Sequence, residues 1–293
     1  MQTSLSTESA LKFLNEQLLN WPEVAKRFAS LNSVETRKLN VAERCFTLQH
    51  NPARITSTGA AVSSNAIEAR PCFLCKNNRP EQQFALPIND KYELLVNPYP
   101  IFPVHFTIPS TTHTPQQLVY NSGNRFADML TIAHQLPGLA LFYNGAHCGA
   151  SAPDHFHFQA VEASNLPLLQ WASDGCALPF AVEYHKFIDI SDAIKWGAEI
   201  MAKLPNPNKD PEPPINVICV RQNDGSINVC IIPRRAHRPE FYGSKDGQIL
   251  VSPASVDLCG TIILPRPEDF YENFTSNHLT LLLTQTCYLN NSY

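Results

Sequence analysis

The stretch His155-Phe156-His157-Phe158-Gln159 sets three polar side chains at alternate positions. In an extended strand, alternate residues share a face. His155, His157 and Gln159 would then line one side at intervals of about 6–7 Å, with Phe156 and Phe158 turned to a core on the other. An imidazole can bind a metal, take a proton or attack an electrophile, and its ordinary pKa of about 6.5 leaves it neutral near pH 7. A carboxamide cannot titrate, but its N–H groups can hold an oxyanion. The approach to this strand, Gly145 to Ser151 (GAHCGAS), is small enough to let an anion reach the backbone. The plain alternative for either ring is an ordinary half-buried histidine. A second group, Cys72-Phe73-Leu74-Cys75, has the C-x-x-C bite of a single metal ion. A redox pair and two unrelated thiols are the other readings, and nothing around the pair resembles a thioredoxin unit. A zinc ion there would need two more ligands.

These groups need elements to carry them. Residues 1–31 read as helical: Ser6-Thr7-Glu8 suits a helix start, Leu11, Leu14 and Leu18 recur at helical spacing, and Trp21-Pro22 breaks the run before a second short helix. Residues 35–56 alternate as a strand pair ending in a turn at Asn51-Pro52. Ser57 to Ala69 is small and polar and reads as a mobile loop. Strands at Tyr92–Val96 and His105–Ile108 flank a proline-rich connection. Thr114 and Pro115 suit the N-cap and first position of a helix running to about Gln135, and a strand at Leu139–Tyr143 enters the central stretch. Later come a strand at Ala181–Ile190, a helix at Ser191–Lys203 capped by Ser191, and a polar proline-rich segment at 205–214. Two alternating strands surround Asn223-Asp224-Gly225, a hairpin signal, and residues 275–287 form a helix packing on the surface. IIPRRAH (231–237) parallels TIPSTTH (107–113): strand, proline, three residues, histidine. This reads as an internal repeat, whose second copy continues as GTIILPRPEDF rather than H-x-H-x-Q.

Bulk properties narrow the class. A length of 293 residues allows one large domain or two moderate ones. Hydrophobic content of 44% with 16% charged residues fits a soluble globular protein. A net charge of -4 argues against a nucleic-acid or membrane-surface binder, and no apolar run approaches the roughly 18–20 residues of a bilayer span. The first residues lack the basic and apolar regions of a signal peptide. Nine scattered cysteines, mostly in apolar surroundings, read as buried free thiols, which places the protein in the cytoplasm. With 24 prolines against 11 glycines, extended segments and fixed turns should outweigh long helices.

The pattern N-x-Y-P-x-x-P-x-H-x-x-x-P-x-x-x-H occurs as Asn97, Tyr99, Pro100, Pro103, His105, Pro109 and His113. Followed by a helix, a strand and H-x-H-x-Q, it resembles the histidine-triad (HIT) superfamily. More specifically, it is similar to the nucleotidyltransferase branch: galactose-1-phosphate uridylyltransferases, diadenosine tetraphosphate phosphorylases and GDP-hexose phosphorylases. The match is strong over about residues 70–160 and weak over 215–270. It implies an α+β fold of two fused HIT-type halves, with antiparallel sheets and flanking helices. Residues 1–69 would pack on the core, 70–204 would form the catalytic half, and 205–293 a degenerate second half.

The resemblance also assigns roles. His157 would attack the α-phosphorus of a nucleotide, giving a covalent nucleotidyl-histidine that a second phosphate-bearing substrate then resolves. Gln159 stands where simple HIT hydrolases have a third histidine, which favours transfer to phosphate over hydrolysis. Ser151 and the backbone of Gly149 and Ala150 would cradle the phosphates, and Asn144 would orient them. Asn97 with Tyr99–Pro103 suits a base and ribose pocket. Arg234 and Arg235, with His237 and Arg238, form the densest basic cluster and would bind a sugar phosphate or inorganic phosphate. By likeness to the uridylyltransferases, Cys72, Cys75, His113 and His155 would hold a structural Zn2+ ion. One departure stands out: three residues, Ala152-Pro153-Asp154, separate Ser151 from the first histidine, where the family pattern has two. The expected function is nucleotidyl transfer from a nucleoside diphosphate sugar to phosphate or a sugar 1-phosphate, by a monomer or homodimer. A dinucleoside polyphosphate (Ap4A-type) phosphorylase and a non-catalytic nucleotide-binding protein are the alternatives.

Overall fold

The computed structural model describes residues 5–121 and 123–290. In chain order it begins with helices α1 (Thr7–Asn20) and α2 (Pro22–Ser30), strands β1 (Glu35–Val41) and β2 (Arg44–His50), and helical turns α3 (Ile55–Thr58) and α4 (Ser64–Glu68). Strands β3 (Leu86–Pro87), β4 (Glu93–Val96) and β5 (His105–Pro109) follow, then a short pair, β6 (Val119–Tyr120) and β7 (Gly123–Asn124). Helix α5 (Arg125–Gln135) leads to strands β8 (Leu139–Asn144) and β9 (His157–Glu162), helix α6 (Pro167–Ser173), strand β10 (Glu183–Phe187) and helix α7 (Ile190–Lys203). The hairpin β11 (Ile215–Arg221) and β12 (Ile227–Pro233) precedes turn α8 (Ser255–Leu258), strand β13 (Thr261–Leu264) and helix α9 (Ser276–Thr286).

Eight strands form one antiparallel sheet in the order β10-β12-β11-β8-β9-β5-β4-β3. A second sheet, β1-β2-β13, pairs β13 parallel to β2. Strand alternation sorts the side chains of the large sheet into two cores. On one side Leu141, Tyr143, Phe156 and Phe158 pack with Phe126, Met129 and Leu130 of α5 and with residues of α1, α2 and α7. On the other, Ala140, Phe142, Val161 and Ile218 pack with Phe46 and Leu48 of β2, Ile262 of β13 and Leu279, Leu282 and Leu283 of α9. The chemical face of β9 therefore looks toward the smaller sheet. Residues 86–162 and 183–233 share the large sheet, because β8 pairs with β11.

Several local expectations are met. Ser6 caps α1, the 223–225 turn closes the β11–β12 hairpin with Gly225 at φ +85°, and Pro109 and Pro233 both end strands. Others are revised. Helix α5 starts ten residues later than Pro115, because Asn124 accepts a hydrogen bond from the Ala127 amide while Val119–Tyr120 and Gly123–Asn124 pair as the β6–β7 ribbon. Asp189, not Ser191, caps α7, since its carboxylate accepts from the Ser191 amide. Ser57–Ala69 holds the turns α3 and α4 and forms a wall of the main cavity, and α9 buries one face in the second core. The 205–214 segment is pinned: the Glu212 carboxylate accepts from the Leu118 amide at 2.7 Å and from the Tyr143 hydroxyl.

Phe156 and Phe158 are fully buried, with ring centroids 4.8 Å apart in an edge-to-face arrangement and Tyr92 and Tyr143 beside them. Each ring contributes about 1.5–3 kcal/mol by leaving water, so the back of β9 is anchored as firmly as the core itself. Phe158→Ala should lower unfolding free energy by about 3–5 kcal/mol in a urea titration.

Candidate active site

A cavity of about 790 Å³ opens over the chemical face of β9. His157, Gln159, Asn144, Asn97, Gly149, Ala150 and Ser151 all line it. His157 is nearly buried, and its Nδ1 lies 2.8 Å from the carbonyl oxygen of His155, two residues back and just ahead of the strand. A carbonyl accepts only, so Nδ1 carries the proton and donates it, leaving Nε2 with a free lone pair. Burial pushes the His157 pKa down to about 4, against the opposing pull of that carbonyl, so the ring is neutral.

The orientation of Gln159 is set by its neighbours. Its Oε1 lies 2.9 Å from His105 Nε2 and accepts from Asn97 Nδ2 at 3.3 Å. His105 Nδ1 accepts from the Ile101 amide at 3.2 Å, so its proton sits on Nε2 and points to Gln159. Burial, and then the charge of Arg54, pushes the His105 pKa down to about 3, keeping that ring neutral. With its oxygen committed to two donors, Gln159 turns its N–H groups to the cavity.

The loop 145–156 is held by the second half of the chain. Asn216 Nδ2 donates to Asn144 Oδ1 and to the Cys148 carbonyl, both at 2.8 Å, and the Ser255 hydroxyl donates to Asn144 Oδ1 at 2.7 Å. Gly149 adopts φ +96°, and a Cβ there would stand 2.5 Å from Ala254 Cβ. Glycine is thus required by both the backbone conformation and the close approach. Ahead of the first histidine, the Ala152-Pro153-Asp154 insertion is anchored. The Gln116 amide donates to the Pro153 carbonyl at 3.1 Å, and Asp154 pairs with Arg70 at 2.8 Å.

The basic residues are placed differently from expectation. Arg234 does not reach the cavity. It is fully buried, and its guanidinium donates to Asn216 Oδ1 and to the carbonyls of Thr286, Pro253, Ala236 and His237. Arg235 is exposed beside the Thr284 carbonyl and also lies off the cavity. From the same cluster, His237 and Arg238 do line it, joined by Arg27, Arg54 and Arg70 from the first part of the chain. Arg54 donates to the Tyr99 carbonyl at 2.6 Å, while its buried Nε has no protein partner. Arg54 and Arg70 carry no sequence signal beyond their charge, since tertiary contacts alone bring them to the site.

Cys72, Cys75, His113 and His155 converge, with their ligand atoms within 4.8 Å of one another. Cys72 Sγ is 3.3 Å from His155 Nδ1, and Cys75 Sγ is 3.3 Å from His113 Nδ1 and 3.5 Å from His155 Nδ1. A tetrahedral ion with metal–sulfur and metal–nitrogen bonds of about 2.3 and 2.0 Å sets sulfur–nitrogen separations of roughly 3.5 Å. His155 Nε2 lies 2.9 Å from the Ser110 carbonyl, which fixes the proton there and frees Nδ1 to ligate. The cluster could hold a metal ion.

With this geometry described, likeness to known proteins becomes informative. A family described as a domain of unknown function (DUF4922) matches residues 13–162. The chain belongs to this family. No curated protein matches the sequence. Crystal structures of yeast Ap4A phosphorylase Apa2 resemble the whole chain. The first has a TM-score of 0.58 at 17% identity, covering 92% of this chain and 97% of that one. The complex with AMP gives 0.59 at 16%, covering 93% and 96%, and the complex with Ap4A gives 0.59 at 18%, covering 92% and 97%. At such identity the likeness is one of fold. The DUF4922 chain therefore has the α+β, HIT-like fold in two halves that its motifs anticipate.

Arg234→Met should cost about 2–4 kcal/mol of unfolding free energy, since it strands buried acceptors, whereas Arg235→Ala should stay within about 0.5 kcal/mol. Chemical denaturation of the two variants side by side checks the difference.

Proposed function

We propose that the protein transfers a nucleotidyl group between phosphates through a covalent nucleotidyl-His157. The observation that carries this reading is the His157 ring, which is neutral, protonated at Nδ1 by virtue of the His155 carbonyl, and placed on the cavity wall beside Gln159 and the Gly149–Ser151 loop. The Nε2 lone pair attacks the α-phosphorus of the donor. The bond from that phosphorus to the bridging oxygen breaks, and the leaving phosphate takes its electron pair. The resulting imidazolium keeps its Nδ1 proton on the His155 carbonyl. A phosphate oxygen of the acceptor then attacks the phosphorus, the nitrogen–phosphorus bond breaks, and the neutral ring is restored. No proton changes hands, because a phosphate acceptor is already ionised. A non-titrating Gln159 suffices, with its N–H groups positioned to hold a phosphoryl oxygen.

The first donor class is a nucleoside diphosphate sugar, with phosphate or a sugar 1-phosphate as acceptor. The second is a dinucleoside polyphosphate of Ap4A type split by phosphate, which the end-to-end fold likeness to the yeast phosphorylase favours. Four arginines on the cavity wall, Arg27, Arg54, Arg70 and Arg238, suit either polyanion. Cys72, Cys75, His113 and His155 would hold a structural zinc ion that stiffens the start of the nucleophile strand and supplies no open coordination position. Nine free cysteines fit a reducing compartment, the cytoplasm.

Incubation with labelled nucleoside diphosphate sugars and dinucleoside polyphosphates should yield an acid-labile adduct on His157, and the donor that labels fastest identifies the class. An unlabelled wild-type protein, or an adduct that persists in His157→Ala, would refute the mechanism. Gln159→His should raise hydrolysis of the adduct relative to phosphorolysis, because imidazole can exchange a proton with water. Protein purified without chelators should carry about one zinc ion per chain by elemental analysis, and Cys75→Ser should lower that content and the melting temperature.

A further inference from the structure

Strands β8 and β9 pair in register from Leu139↔Glu162 to Phe142↔Gln159. Continued by two residues, that register would set Asn144 against His157. The rung is not made. In its place stands the side chain of Gln116, nearly fully buried, from the segment before β6. Its Oε1 accepts from the His157 amide at 2.8 Å, and its Nε2 donates to the His157 carbonyl at 2.9 Å and to the Asn144 carbonyl at 2.9 Å. The amide orientation is forced, because one partner is a donor and two are acceptors. Its own carbonyl accepts from the Tyr143 hydroxyl at 3.0 Å, and its amide holds Pro153 in the loop.

We infer that Gln116 is a positioning residue. It wedges the Asn144–His157 rung open and holds the nucleophile and the phosphate loop at the separation a phosphoryl group needs. Directly opposed residues of an antiparallel pair lie about 4.5–5.5 Å apart and present both side chains to one face. A carboxamide inserted between the two backbones satisfies the ladder groups while spreading the strands. Asn144, the Gly149–Ser151 loop and His157 all line the main cavity. Gln116 does not line the main cavity that His157 faces, so it acts on that site through His157 and Asn144. The role rests on the proposed nucleotidyl transfer and names what spaces its two working parts.

Gln116→Met keeps the length and removes all three side-chain bonds, whereas Gln116→Glu retains acceptance from the His157 amide. Single-turnover labelling of His157 by the best donor should slow on the order of a hundredfold in Gln116→Met, while the donor concentration for half-maximal rate moves less than about threefold. Gln116→Glu should fall between that variant and wild type. Independently, nuclear magnetic resonance should show a slowly exchanging Nδ1 proton on His157 in wild type and its loss in Gln116→Met. Unchanged labelling and an unchanged Nδ1 proton, with only the melting temperature lowered, would overturn the inference. If wild type forms no adduct, the proposed function fails, and the Nδ1 proton alone then decides whether Gln116 orients His157.

Discussion

At the start of strand β9, His157 Nδ1 and the carbonyl oxygen of His155 lie 2.8 Å apart, and the reactivity proposed for the site depends on that bond staying made. It keeps the N–H proton of the neutral ring on Nδ1, donated to the backbone carbonyl, so the opposite nitrogen keeps its lone pair toward the cavity. Both ends belong to one three-residue stretch, so any twist of that stretch would break it. The stretch is clamped from several directions. Phe156 and Phe158 root it in the aromatic core, the His155 ring is tied to Ser110, and Gln116 brackets the His157 backbone.

The remaining support comes from far away in sequence. Asn144, at the start of the 145–156 loop, is gripped by Asn216 and Ser255, and Asn216 is gripped by Arg234. Ala254 presses against Gly149 so closely that no side chain fits there. Residues from Asn216 onward thus contribute walls and braces to the cavity around His157 and Gln159. Amide and hydroxyl groups make the direct contacts to Asn144. Arg234, fully buried, donates its N–H groups to carbonyl and amide oxygens.

Local pattern made part of this legible. Period-2 alternation in HFHFQ separates core from chemistry, and the structure keeps that separation for His157 and Gln159, whereas His155 precedes β9, does not line the cavity and joins the cysteine cluster. The C-x-x-C pair does converge with His113 and His155. Density of charge was a poorer guide: Arg234 and Arg235 are adjacent to Arg238, yet only Arg238 faces the cavity. Charge in a sequence does not say whether a guanidinium meets substrate or backbone. Likewise Thr114-Pro115 is a sound helix start in isolation, but the next residue, Gln116, is held in place by tertiary bonds, and the helix waits for Asn124.

By itself, then, the sequence determined which residues share a face, which turn closes the β11–β12 hairpin, and that an imidazole, a carboxamide and a thiol pair lie close to a flexible loop. Those properties follow from covalent order and backbone periodicity. The tertiary structure decided which nitrogen of His157 is free, which end of Gln159 faces the cavity, which arginines line it, and that a glutamine replaces a rung of the sheet. Each of these depends on hydrogen-bond partners or close contacts across the fold, so they exist only once distant segments have packed together.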